Sequence, residues 1–223
     1  MPLALFDLDN TLIDRVTPFK RWARAFAAQY DLPAAAEAWL IDADDGGAIH
    51  RDAFFDLVQK RFDLDESTAV FQAAYEREFP RFMRIDDETV LALQSLRREG
   101  WRIGIVTNGP AMQTLKIEHC GLPALVDGWV VSLVDGVSKP DPAAFALAAE
   151  RAGGSLDGAW MIGDSPGSDI GGAHRAGLSS IWLHRLREWE LTEYQPTRVA
   201  FSCAEAVNML LDDDLHLPFA VGR

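Results

Sequence analysis

Short apolar runs recur along the chain, each closing on polar residues. Leu3-Ala4-Leu5-Phe6 runs straight into carboxylates. Trp101-Arg102-Ile103-Gly104-Ile105-Val106 follows Gly100, a residue that commonly stops a preceding helix. Trp129–Leu133, Ala159–Ile162, Ser179–Leu183 and Arg198–Phe201 continue the series. Between the runs lie helical spacings: Val90, Leu93 and Leu96 recur every three residues, and Phe145, Ala149 and Ala152 follow i, i+4, i+7. Strands that are apolar on both sides and alternate with helices predict a parallel sheet covered on both faces. One stretch, from Asp14 to about Asp86, breaks the alternation. There Phe19, Trp22, Phe26 and Tyr30, then Phe54, Val58 and Phe62, then Phe71, Tyr75 and Phe79 all fall at helical spacing, with no strand pattern among them. Residues 14–86 therefore read as an all-helical insert in an α/β domain formed by residues 1–13 and 87–223. Asp42–Gly47 reads as a loop within the insert, and Asp212–Arg223 as a solvated tail.

Composition narrows the classes open to such a chain. Its 223 residues suit one large domain or one and a half, and 48% apolar content is ample for a buried core. No apolar run reaches the roughly 18 residues of a membrane span, and the N-terminus has no basic stretch before its first apolar run. A net charge of −13 lacks the basic footprint of a nucleic-acid binder. Cys120 and Cys203 are too few for a disulfide framework or a cysteine-based zinc site. These features predict a soluble cytoplasmic protein. The chain has only four lysines, Lys20, Lys60, Lys116 and Lys139, so the placement of each carries information.

Ligands of open α/β sheets bind beyond the carboxyl ends of the strands. The first strand is followed there by Asp7-Leu8-Asp9-Asn10-Thr11, and the second by Thr107-Asn108-Gly109. A loop with Ser138-Lys139-Pro140-Asp141 comes after the third, and Gly163-Asp164-Ser165-Pro166-Gly167-Ser168-Asp169 after the fourth. Asp7 and Asp9 project to the same side of an extended chain, where two like charges are costly unless they share a cation or a proton. A lone pair of this kind equally suits an Asp-rich turn capping a helix. Asp164 alone suits an N-cap, and Lys139 alone a surface position. Four such groups in one order, each after a strand, point to chemistry.

This constellation resembles the haloacid dehalogenase superfamily of hydrolases, in the subclass with a helical cap inserted after the first motif. Motif one is Asp7–Thr11, motif two Thr107-Asn108, motif three Lys139, and motif four Gly163-Asp164 with Asp169. The resemblance implies a Rossmann-like doubly wound core, a mobile helical cap, and Mg²⁺ as cofactor. It implies Asp7 as nucleophile and metal ligand. Asp9 would be the acid and base, with its backbone carbonyl on the metal. Asp164 would be a direct ligand, with Thr11 behind the ligands and Asp169 on the metal's water shell. Lys139 would neutralise Asp7 and the phosphoryl oxygens, which the Thr107 hydroxyl and the Asn108 backbone N–H would hold. Dehalogenases of the superfamily lack an acid at the position of Asp9, which favours the phosphatase branch.

The expected activity is hydrolysis of a small phosphorylated metabolite through an aspartyl-phosphate. The alternatives are a phosphomutase of the same superfamily and a non-catalytic binding protein on this fold. Within the insert, Arg51 is the first choice for a substrate-anion contact, set against a solvated turn at Asp44–Gly47. Arg15 and Lys20 are further candidates, with the surface as the simpler reading. Trp182 suits the core, and Trp189 is left open between core and partner surface.

Overall fold

The computed structural model describes residues 1–47 and 49–214. The chain divides into two compact units, one comprising Met1–Ile13 and the chain from Ile85 on, the other Asp14–Arg84.

The first unit is built on six parallel strands: β1 (Leu3–Phe6), β2 (Arg102–Thr107), β3 (Gly128–Val131), β4 (Trp160–Gly163), β5 (Ser179–Leu183) and β6 (Arg198–Ala200), in the spatial order β3-β2-β1-β4-β5-β6. Central β1 pairs with β2, where Phe6 lies opposite Ile105, and with β4, where Phe6 lies opposite Ile162. All four β1 residues are buried, as a strand covered on both faces requires. One face packs Leu5, Val106, Val130 and Met161 against Phe145 and Ala148 of a helix at Pro142–Arg151. A side chain at Gly104 would run into Leu5 and Ala152, so the glycine permits this close approach. Asp141 caps that helix by accepting from the Ala143 N–H at 2.9 Å. The helices at Asp87–Arg98 and Cys203–Asp214 pack on each other.

Three expectations change. The third strand stops at Val131, and Ser132–Asp135 turn into a short helix because the Asp135 carboxylate accepts from the Val131 N–H at 2.7 Å. Asp212–Asp214 are not a tail but the end of the last helix, anchored by buried Cys203, Ala206, Val207 and Leu210; the expected tail beyond them lies outside the described residues. The expected loop at Asp42–Gly47 is helical up to Asp44, and the turn begins only at Asp45.

The second unit holds α1 (Val16–Gln29), α2 (Ala36–Asp44), α3 (Arg51–Phe62) and α4 (Thr68–Glu78), and no strand among the described residues. Its core is aromatic. Phe19 and Trp22 of α1 meet with ring centres 5.2 Å apart, Trp22 meets Tyr75 of α4 edge-on at 5.0 Å, and Tyr75 stacks on Phe79 at 4.5 Å. Such pairs add about 0.5–1.5 kcal/mol each beyond area burial. Inside this apolar setting Asp44 is 1% exposed. Its Oδ2 accepts from Arg15 Nη1 at 2.5 Å, and its Oδ1 accepts from Arg15 Nη2 at 2.9 Å and Arg51 Nη2 at 2.6 Å. No helix among the described residues is long and apolar enough to cross a membrane.

Candidate active site

Parallel strands carry their C-terminal ends to one edge of the sheet, and the polar residues after β1, β2 and β4 gather there. The Asp7 N–H donates to the Ile162 carbonyl at 2.9 Å, one step past the end of β1, which locks the residue to the neighbouring strand. The chain then turns tightly. Leu12 and Ile13 N–H groups donate to the Leu8 carbonyl at 3.0 and 3.1 Å, and Asn10 takes the left-handed conformation (φ 61°) that asparagine tolerates better than most residues. Thr11 is buried in this turn, and its hydroxyl has no hydrogen-bond partner among the described residues.

Lys139 is the hub. Its Nζ donates to Asp7 Oδ1 and to Asp169 Oδ1, both at 2.6 Å, and the lysine is 4% exposed. Asn108 sets its backbone: the Lys139 N–H donates to Asn108 Oδ1 at 2.9 Å, and Asn108 Nδ2 donates to the Lys139 carbonyl at 2.8 Å. Asp169, fully buried, accepts from the Ser165 N–H at 2.9 Å through its other oxygen. Asp7, Asp164 and Asp169 each place a carboxylate oxygen within 4.8 Å of the others. An all-oxygen, anionic donor set of this kind suits a hard divalent cation such as Mg²⁺.

The electrostatics follow from burial. Asp7 is pushed up to about 8, first by desolvation and then by Asp169 and Asp164, against the pull of Lys139. Asp164 rises to about 6, again mainly by burial and by Asp169, with Arg187 and Arg185 opposing. Desolvation disfavours the Lys139 ammonium, but Asp169 and Asp7 outweigh it and hold the group charged well above its usual range. Arg187 Nη2 reaches Asp164 Oδ2 at 3.2 Å and the Asp164 carbonyl at 2.5 Å. Trp182 is buried, and its indole N–H donates to the same carbonyl at 2.9 Å. Trp189 packs edge-on against it at 5.0 Å.

Asp9 stands apart from the three-carboxylate group. Both its oxygens accept from Lys116 Nζ, at 2.8 and 2.6 Å, and Oδ2 also accepts from Gln113 Nε2 at 2.9 Å. The same Gln113 amide donates to Thr107 Oγ1 at 2.8 Å. Gln113 and Lys116 lie three apart on the helix that follows β2 (Met112–His119), hence on one face. Neither residue lies in the four motifs that follow the strands. The available signal was Lys116 itself, one of four lysines, standing three residues after Gln113 on a helix opened by Thr107-Asn108-Gly109.

Of the insert's residues, the candidate Lys20 is exposed, as is Lys60. Arg15, for which the surface was the simpler reading, is buried against Asp44, and Asp44 is anything but a solvated turn residue. Arg51 lies with its guanidinium 4.8 Å from the Phe54 ring centre, and its buried Nη1 has no hydrogen-bond partner among the described residues.

Comparison with known proteins places the chain in a family. The family model for haloacid dehalogenase-like hydrolases matches residues 1–177. A phosphoserine phosphatase of Thermus thermophilus is 29% identical over 182 residues, covering 77% of this chain and 70% of that protein. A glyceraldehyde 3-phosphate phosphatase of Pyrococcus abyssi is 30% identical over 196 residues, covering 80% and 79%. Among solved structures, the HAD-hydrolase YfnB of Bacillus subtilis, bound to magnesium, superposes with a TM-score of 0.77 at 23% identity, over 94% of this chain and 98% of that one. With its motif residues gathered at one sheet edge and the match running over most of its length, the chain belongs to the haloacid dehalogenase-like hydrolases.

Proposed function

We propose that this chain is a Mg²⁺-dependent phosphatase that hydrolyses a small phosphorylated metabolite through an aspartyl-phosphate on Asp7. The observation that carries the reading is the buried Asp7 carboxylate, bridged to Asp169 by Lys139 and grouped with Asp164. The names of the phosphoserine and glyceraldehyde 3-phosphate phosphatases support the same reaction class. A carboxylate approaching a phosphate dianion meets repulsion of about 4 kcal/mol per unit charge pair at 4 Å and an effective dielectric near 20. Lys139 offsets part of it. Asp7, Asp164 and the Asp9 backbone carbonyl would hold Mg²⁺, with Asp169 and Thr11 behind them, and the bound cation would neutralise charge on the attacking and transferring oxygens.

An Asp7 oxygen attacks phosphorus while the ester P–O bond breaks, and Asp9 gives its proton to the leaving oxygen. Thr107 Oγ and the Asn108 N–H hold the transferring group. Asp9 then takes a proton from the attacking water, the acyl-phosphate bond breaks, and phosphate leaves with Asp7 restored. An acid at position 9 serves an oxygen leaving group and has no task with a halide.

The direct test is hydrolysis of p-nitrophenyl phosphate. Activity is expected to require divalent metal and to vanish in Asp7→Asn; full turnover in excess EDTA, or in that variant, would overturn the assignment. The helical unit Asp14–Arg84 is the cap of this reading and the source of its specificity, with Arg51 contacting a second anion of the substrate. The buried Arg51 Nη1, which has no hydrogen-bond partner among the described residues, supports an anion contact. A charge-assisted hydrogen bond of about 1.5–3 kcal/mol predicts that Arg51→Ala lowers kcat/KM about ten- to a hundred-fold on the preferred metabolite. It should leave p-nitrophenyl phosphate nearly untouched. Uniform loss on both substrates, or none on either, would remove Arg51 from substrate recognition.

A further inference from the structure

We infer that Lys116, seated by Gln113, is a positioning residue for Asp9, fixing the acid's carboxylate where it meets the leaving group. The inference rests on the phosphatase reading above, in which Asp9 transfers the protons. A lysine that is 1% exposed has given up its hydration, a cost of several kcal/mol unless it is paired. Here both oxygens of one carboxylate repay it, at 2.6 and 2.8 Å, across 107 residues of sequence. Neither the nucleophile nor the metal-type carboxylate group receives this lysine: Lys139 serves Asp7 and Asp169, and Lys116 serves Asp9.

The seat is built from more than one pair. Gln113 ties Asp9 Oδ2 to Thr107 Oγ1, so the acid and the hydroxyl assigned to the phosphoryl group share one amide. Gly109 is part of the fit, because a Cβ there would come within 2.8 Å of Gln113 Cγ. The helix buries Met112, Gln113, Lys116 and Ile117 together, so the two polar residues point into the unit and not to solvent.

In the step concerned, the bond from Asp7 oxygen to phosphorus forms as the ester P–O bond breaks. The proton on Asp9 passes to the departing oxygen, leaving the carboxylate that the Lys116 ammonium pairs with, and the attacking water later returns a proton. A carboxyl whose direction is held loses less rate to misalignment, and that gain counts most where the leaving group needs its proton most.

The experiment compares phenyl phosphate with p-nitrophenyl phosphate, the poorer and the better leaving group, in single turnover with Mg²⁺. Lys116→Met is expected to slow the first step at least tenfold on phenyl phosphate and less than threefold on p-nitrophenyl phosphate. In an Asp9→Asn background the same substitution should change neither rate more than twofold. Equal loss on both substrates, or an undiminished effect in Asp9→Asn, would overturn the inference and leave Lys116 a structural residue. Gln113→Met is read by the same ratio of the two substrates, so the test stands if Lys116→Met fails to fold. If Asp9→Asn itself shows no difference between the substrates, the Asp9 assignment falls and the inference with it. A difference in Asp9→Asn without one in the Lys116 and Gln113 variants overturns the inference alone.

Discussion

Asp44 shows what burial does to an ordinary charged residue. At the end of α2, in a stretch rich in Asp and Gly, it has the sequence context of a solvated turn, yet its side chain is 2% exposed and carries two guanidinium partners. An exposed ion pair contributes little, about 0–1 kcal/mol. Removing one member of a buried set is different, because the remaining charges stay desolvated and lose their shared partner, at about 3–5 kcal/mol. Asp44→Ala is therefore expected to destabilise the protein by that amount in urea unfolding. A loss below about 1 kcal/mol would show that the two arginines find water when their partner goes. The four lysines divide just as sharply: Lys20 and Lys60 lie in solvent, whereas Lys116 and Lys139 are buried on carboxylates. Residue type alone predicts the first pair; only a carboxylate brought within 3 Å explains the second.

At the scale of elements, the end of β4 and the turn that follows it work as one piece. Gly163 closes the strand, the Ser165 hydroxyl accepts from the Ser168 N–H at 3.3 Å, and the turn delivers Asp169 back toward the strand end. A side chain at 163 would overlap the Asp169 carboxylate and its Cβ, so the glycine is there for space and not for an unusual backbone angle. Gly163→Ala should displace Asp169 and, through it, Lys139. A displacement of about 1 Å at such a site typically costs about a hundred-fold in rate. That loss should appear in kcat/KM for p-nitrophenyl phosphate while the far-ultraviolet circular dichroism stays that of the parent. Unchanged activity would mean that the turn accommodates a methyl group without moving its carboxylate.

For the molecule as a whole, the raised carboxyls couple folding to pH. Asp7 at about 8 and Asp164 at about 6 hold protons in the folded protein at pH values where the unfolded chain, with carboxyls near 4, has released them. Between those limits the folded state binds more protons than the unfolded one, so the stability of the protein in EDTA falls as pH rises from about 4 to about 8. Mg²⁺ held as proposed would compete with the same protons. The rise in Tm on adding Mg²⁺ should therefore grow over that interval; a rise that is flat with pH would place the cation away from Asp7 and Asp164. The parallel sheet, the run of helices after the first strand and the polar residues after β1, β2 and β4 were legible along the chain, because periodicity and turn chemistry act between near neighbours. The aromatic spacings of the insert likewise foretold its core, since i, i+3 and i+4 positions share a helix face. Element ends were less legible: Asp135 accepting from the Val131 N–H cut the third strand short, and the buried stripe from Cys203 to Leu210 carried the last helix through Asp214. What tertiary structure alone decided is which buried charges meet, Lys116 with Asp9 across 107 residues and Arg15 with Asp44 across 29. Such pairs have no period in the sequence; they form where packing removes water from an ammonium or guanidinium and sets a carboxylate in its place.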